Sequence, residues 1–271
     1  MSPPLLSVIL ITKNEAANLA GCLASVAFAD EWIVVDCGST DATAQIAREF
    51  GASVITTADW PGFGVQKNRA LTAARGRWVL SIDADERVTP ELAQRIRSAI
   101  GAETNAHVPN LESDAGRGKL AGYELSRLSN FCGQWMRHGD WYPDRVLRLF
   151  LRENGRFSDD LVHERLMVSG PIGRLDGDLL HDSMPTLEGA LDKMNRYSSG
   201  RALDKVRAGG QGGFTAALTH AAWAFVRSYL VRRGFLDGRL GFVLALYVAE
   251  GTWYRYLKMG LLTNPPKPPF D

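Results

Sequence analysis

The sequence predicts an α/β protein: a doubly wound, mostly parallel sheet with a mixed extension and a helical appendage at the C-terminal end. Three observations carry this. Apolar strand-like runs alternate with helical patterns through the first hundred residues, as in a parallel sheet covered by helices. The first run, residues 5–11, is continuously apolar, as expected of a strand buried on both faces. Beyond residue 186 the periodicity becomes purely helical.

Each element follows from local composition. Residues 5–11 are rich in branched side chains and stop at Thr12-Lys13-Asn14. Asn14 is placed to cap a helix whose apolar positions Leu19, Cys22, Leu23 and Val26 recur at helical spacing. A second strand, 32–35, ends in Asp36-Cys37-Gly38-Ser39-Thr40-Asp41 before a helix carrying Ile46, Ala47 and Phe50, which Gly51 closes. Residues 53–56 form a third strand. After Pro61-Gly62-Phe63-Gly64, a helix over 65–74 leads into the strand 78–82, which runs out at Asp83-Ala84-Asp85. Thr89 caps the next helix, with Pro90 at its first position, where a missing N–H costs nothing. Periodicity is lost over 101–118. Strand-like pieces at 123–128, 146–150, 161–168 and 174–181 form the mixed extension. Thr186 caps a polar helix to about 208, the glycines of 209–213 make a joint, and helical segments 214–233 and 238–262 precede a Pro-rich tail.

Composition narrows the class. With 271 residues, 45% of them hydrophobic, there is ample core for one large domain or a domain plus appendage, and disorder is excluded. The net charge of +1 conceals −5 over residues 1–185 and +6 over 186–271, so the tail is expected to meet something anionic. Cysteines at 22, 37 and 132 lack zinc or disulfide spacing and point to a reducing compartment, each as a small buried hydrophobe. Met-Ser-Pro-Pro runs straight into a strand without a basic start or apolar stretch, so export is not expected. The apolar run 240–249 is about half of the ~20 residues that span a bilayer.

Ligands of such sheets bind beyond the carboxyl ends of the strands, so Thr12, Asp36 and Asp83 are expected to share one crevice. Asp83 and Asp85 offer hard oxygen ligands to Mg²⁺ or Mn²⁺ held jointly with substrate phosphates; solvated turn residues are the plain alternative. No GxGxxG follows the first strand and no GxxxxGK[ST] occurs, which disfavours a nicotinamide enzyme and removes a P-loop.

Val8-Ile9-Leu10-Ile11-Thr12-Lys13-Asn14-Glu15, then Val35 to Asp41, then Ser81-Ile82-Asp83-Ala84-Asp85 resemble, in order and spacing, the signatures of the inverting family 2 glycosyltransferases of GT-A fold. Trp141 to Phe150, Val162-His163-Glu164 and Gly234 to Gly238 resemble one branch, the lipopolysaccharide core β-1,4-glucosyltransferases, over nearly the full chain. The resemblance implies a nucleotide-sugar half at 1–100 and an acceptor and catalytic half of the same domain at 101–185, and the composition of 186–271 a membrane-associating helical region. It implies that Thr12, Asn14, Glu15, Asp36, Ser39, Lys67 and Asp83 line the UDP-sugar, with Asp36 accepting the uracil N3–H, and that Asp85, with Asp83, binds the metal. Arg69 falls in the same region as Lys67.

Many relatives take the acceptor proton with an Asp from a Glu-Asp pair, and this chain has no such dipeptide. Glu164 is the first choice of base, with His163 orienting it and Asp160 next; Asp159 and Asp144 stay in reserve. The Gln-x-x-Arg-Trp motif of processive synthases is absent, so one sugar per encounter is expected. Trp135, Arg137, His138, Trp141 and Tyr142 form an aromatic and cationic cluster suited to a phosphorylated sugar acceptor, with core packing as the alternative for any one of them.

The basic, aromatic tail matches an interfacial helical region; helices packed on the catalytic domain, or a homo-oligomer contact, are the alternative, and nucleic acid is not expected. The expectation is therefore a metal-dependent, non-processive transfer of a hexose, glucose foremost, from a UDP-sugar to an inner-core heptose of a lipid-anchored saccharide, peripheral on the cytoplasmic face of the inner membrane. Rivals are transfer to polyprenyl phosphate or a protein, and a non-catalytic membrane-associated nucleotide-binding scaffold. A sugar-nucleotide pyrophosphorylase lacks its Gly-rich N-terminal loop here.

Overall fold

The computed structural model describes residues 3–102, 120–158 and 164–265. The chain forms two compact units, Met1–Arg127 with Asp144–His181 and Leu128–Pro143 with Asp182–Asp271. Residues 128–143, which the sequence groups with 101–185, thus cluster with the C-terminal helices.

In the first unit, β1 (Leu6–Thr12), α1 (Ala16–Ser25), β2 (Glu31–Asp36), α2 (Thr43–Glu49), β3 (Ser53–Thr56), α3 (Phe63–Ala73) and β4 (Trp78–Ser81) alternate as predicted. They are followed by β5 (Glu86–Val88), α4 (Pro90–Ala102), β6 (Gly122–Phe131), β8 (Asp144–Leu151), β9 (Gly155–Phe157), β10 (Leu166–Val168) and β11 (Ile172–Met184), with the two-residue β7 (Gln134–Trp135) lying between β6 and β8 in sequence; the last residues of β6, from Leu128, and of β11, from Asp182, belong to the second unit. The main sheet runs β3-β2-β1-β4-β8-β6-β11-β5, while β9 and β10 pair separately. β3, β2, β1 and β4 are parallel; β8, β6 and β5 join by antiparallel pairings, the mixed extension.

Both faces of the parallel part are covered. Leu6, Val8 and Leu10 of β1 pack with Leu19 and Cys22 of α1, Ala47 of α2 and Leu92 and Ile96 of α4. Ile9 points to the other face, where it meets Val35, Val79 and Ala70 of α3. Successive strand side chains point to opposite faces, so an apolar run is required wherever both are buried. Thr89 caps α4 through its Oγ1, which accepts from Leu92 N at 3.3 Å.

Asn14 does not cap α1. Its φ is +57°, a left-handed conformation that Asn tolerates, and its Oδ1 accepts from Thr40 N at 2.8 Å. Its side chain is spent on joining two loops. The expected strand 161–168 is described only from 164 onward, with β10 at its end.

The second unit contains β7, α5 (Leu187–Arg207), α6 (Phe214–Val226) and α7 (Gly238–Thr263). Its core gathers Phe131, Met136, Met184, Ala190 and Leu244. Thr186 Oγ1 accepts from Gly189 N at 3.2 Å, capping α5 as the sequence predicts. The segment expected as one helix to 233 is α6 followed by a wide π turn, Arg227–Val231, because Arg233 adopts a φ of +56° and reverses the chain. Both α5 and α6 pack on α7.

Candidate active site

Parallel pairing brings the loop starts to one edge. Thr12 lies opposite Asp36, and Asp36 opposite Thr56, while Ser81 lies opposite Ile9, so Asp83 follows at the same strand ends. Polar bonds stitch the loops. Buried Asp36 accepts from Ser39 N at 3.1 Å, from Ser39 Oγ, and from Thr12 Oγ1 at 3.4 Å. Asn14 N donates to Ser39 Oγ at 2.9 Å and Glu15 N to Thr43 Oγ1 at 2.8 Å. Cys22 Sγ–H reaches Asp83 O at 3.5 Å, tying α1 to the third loop. Burial pushes the Glu15 carboxyl above its ordinary range; the hydrogen bond from Asn18 opposes this, and the charges of Asp85, Asp41 and Asp83 reinforce it. Thr12, Asn14, Glu15, Asp36, Ser39, Asp83 and Asp85 are therefore neighbours at one edge of the sheet.

Lys67, on α3, reaches both Asp83 Oδ1 and Glu164 Oε1 at 3.3 Å. This approach depends on Gly64: a Cβ there would lie 1.8 Å from Ser158 O, so only glycine lets the 158 backbone lie against the start of α3. Asp83 Oδ2 accepts from Arg148 at 2.7 Å, and Arg148 also meets fully buried Glu86 at 2.7 Å. Arg127 adds contacts to Glu86 at 3.6 Å and to Asp144 at 2.6 Å. Enclosure alone would raise the Asp83 carboxyl, but the Arg148 and Lys67 cations outweigh it and hold the group well below the usual carboxylate range.

Both Asp83 oxygens are thus engaged by cations, Oδ1 by Lys67 and Oδ2 by Arg148. Asp85 instead stands 3.3 Å from His181 Nε2. The antiparallel register that places His181 opposite Glu86 makes this pair. Among the described residues no three His, Cys, Asp or Glu side chains form a cage for an ion. A divalent ion carried by a diphosphate needs no cage, because Mg²⁺-type ions take one or two protein carboxylates and complete their shell with phosphate oxygens and water. Asp85 with His181, at an edge where Glu15 already feels the charges of Asp85, Asp41 and Asp83, fits such an ion.

Sequence reasoning missed Arg148, Glu86, Arg127 and His181. The signal for Arg148 was a cation inside the apolar run 146–151, and for His181 a histidine closing the expected strand 174–181. Asp159, Asp160 and His163 lie outside the described residues. Arg69 forms a bidentate pair with Asp59 at 2.7 Å. Trp135, Arg137, His138, Trp141 and Tyr142 all belong to the second unit. There, Trp141 packs edge-on against Phe131 and Tyr247, and His138 is held by Asp237 through both its backbone N, at 2.8 Å, and its Nδ1, at 2.7 Å. Arg137 is exposed.

Residues 7–136 match the model of glycosyl transferase family 2. The chain is 30% identical over 264 residues to an uncharacterised glycosyltransferase of Rickettsia typhi, covering 94% of this chain and 86% of that relative. This chain belongs to the family 2 glycosyltransferases. It is also 28% identical over 269 residues, 93% of each chain, to the lipopolysaccharide core biosynthesis glycosyltransferase LpsC of Rhizobium meliloti. Among solved structures, the mannosyltransferase PcManGT from Pyrobaculum calidifontis, in complex with GDP-Man and Mn²⁺, shares the fold with a TM-score of 0.50 and 18% identity, over 96% of this chain and 87% of that one. The GT-A architecture expected of this glycosyltransferase is the one observed.

Proposed function

We infer that this glycosyltransferase moves a hexose, glucose foremost, from a UDP-sugar to a heptose of the lipopolysaccharide inner core, with inversion and one sugar per encounter, at the cytoplasmic face of a membrane. The observation that carries this is the gathering of Glu15, Asp36, Asp83 and Asp85 at the ends of three parallel strands, with His181 beside Asp85. Kinship with LpsC supports the acceptor class.

In this reading Asp36, fixed by Ser39 and Thr12, accepts the uracil N3–H; a carboxylate has lone pairs to spare for that donor. Thr12, Asn14 and Glu15 border the uridine. Asp85 and His181 would hold Mg²⁺ or Mn²⁺, which would supply charge neutralisation for the diphosphate leaving group. Asp83, braced by Arg148 and Lys67, meets the ribose. Glu164, held by Lys67, takes the proton of the acceptor hydroxyl on the face opposite the leaving group.

The test is incubation with UDP-glucose, Mn²⁺ and a truncated inner-core acceptor, with the anomeric configuration of the product read by NMR. A β-linked glucosyl product is expected; no transfer and no slow UDP release with any UDP-hexose would remove the assignment. Glu164→Gln is expected to lower kcat by ~10²–10⁴-fold, the usual contribution of a general base, with UDP affinity by calorimetry unchanged. An equal loss in UDP affinity would make Glu164 a donor-site residue instead.

A further inference from the structure

α6 contains no Asp, Glu, Lys or Arg, although much of it faces outward. Its Phe214, Leu218, Trp223 and Val226, with Leu230 and Val231 of the following π turn, are between 37% and 67% exposed. Phe214, Leu218, Val226 and Leu230, with Ala222 between them, fall on successive fourth positions and so form one ridge. Surface helices ordinarily turn charged groups outward and large apolar ones inward. Here the residues buried beneath the ridge are the small Ala217 and Ala224.

Residues 205–236 hold five cations, Lys205, Arg207, Arg227, Arg232 and Arg233, and no carboxylate. The nearest carboxylates are engaged: Asp140 pairs with Arg227 at 2.7 Å and buried Asp237 with His138 at 2.7 Å. Arg232, Arg233 and Arg239 are exposed where the ridge ends. No described helix is long and apolar enough to cross a membrane. Apolar side chains with a tryptophan, bordered by arginines, fit the boundary between acyl chains and anionic headgroups. Exposed arginines at the end of the ridge suit anionic headgroups better than a second copy that carries the same positive charge.

We propose that the α6 ridge and its π turn are a docking surface for an anionic lipid bilayer. This deepens the inference that the acceptor is lipid-anchored and rests on it for its purpose, while the binding itself is independent of sugar transfer.

The experiment is flotation of the full chain with vesicles of phosphatidylcholine alone and of phosphatidylcholine mixed with phosphatidylglycerol, alongside UDP release measured without vesicles. The chain is expected to float with the anionic vesicles and to be released by salt. Leu218→Glu with Leu230→Glu is expected to abolish flotation while UDP release stays intact. Arg232→Gln with Arg233→Gln is expected to weaken anionic binding roughly thirtyfold, the effect of two basic groups at such a surface. Failure of the wild-type chain to float, or flotation of the ridge variant equal to wild type, would overturn the proposal. So would a dimer that the ridge variant dissociates with flotation unaffected, which assigns the surface to a second copy. Loss of UDP release in the wild-type chain with flotation retained would instead count against the transferase chemistry alone.

Discussion

Asp85→Ala is expected to lower kcat for sugar transfer by ~10³-fold or more, because a bound cation supplies several kcal/mol of charge stabilisation to the departing diphosphate. The fold should survive. Asp85 lies at a strand end with its side chain 29% exposed, and its loss takes away only the 3.3 Å contact to His181 and no core packing. Steady-state UDP release at saturating Mn²⁺ measures the first effect and urea unfolding the second, with stability within about 0.5 kcal/mol of wild type. On the same assignment His181→Ala raises the Mn²⁺ concentration needed for half-maximal rate. An Asp85→Ala enzyme with ordinary turnover would remove the ion from Asp85, and a variant that unfolds would make the residue structural.

Arg148→Ala is expected to cost stability rather than only rate. The guanidinium is buried between Asp83 and Glu86, and Glu86 has no exposure at all. Without Arg148, buried Glu86 keeps Arg127 at 3.6 Å and Asp83 keeps Lys67 at 3.3 Å. Breaking a buried ion pair typically costs about 3–5 kcal/mol, and these remaining cations place the loss near the lower end, about 3 kcal/mol. Urea unfolding reads the loss; a change below about 1 kcal/mol would show that the network is dispensable. A pH signature accompanies it. Because the Asp83 carboxyl is held below its ordinary range, the unfolded chain binds more protons in acid, so Asp83's contribution is full above that range and is lost as pH falls through its lowered folded-state value. Without Arg148 that depression shrinks, and stability in acid should depend less steeply on pH.

The parts of the site legible in sequence are those governed by local rules. Thr12, Asp36 and Asp83 each end an apolar strand, and parallel strands with helical crossovers present their carboxyl ends on one edge. Thr89 and Thr186 cap helices in place because a cap depends on residues three positions apart. Asn14 fails the same rule: its side chain answers to Thr40, twenty-six positions away, which no local pattern reveals. Arg148 is of the same kind. Its sequence neighbours describe an ordinary apolar strand, and only pairing of β8 beside β4 brings it to Asp83 and Glu86.

By itself, then, the order of residues determined the alternating α/β half, the three acidic loops and the capped helices, because strand burial, turn chemistry and capping are decided within a few positions along the chain. Tertiary structure alone decided that Asp85 would stand against His181, that Asp83 would be braced by Lys67 and Arg148, and that 128–143 would cluster with the C-terminal helices. Those outcomes hang on strand register and helix packing between segments tens of residues apart. Register is set by which faces bury together over the whole sheet, not by any one stretch.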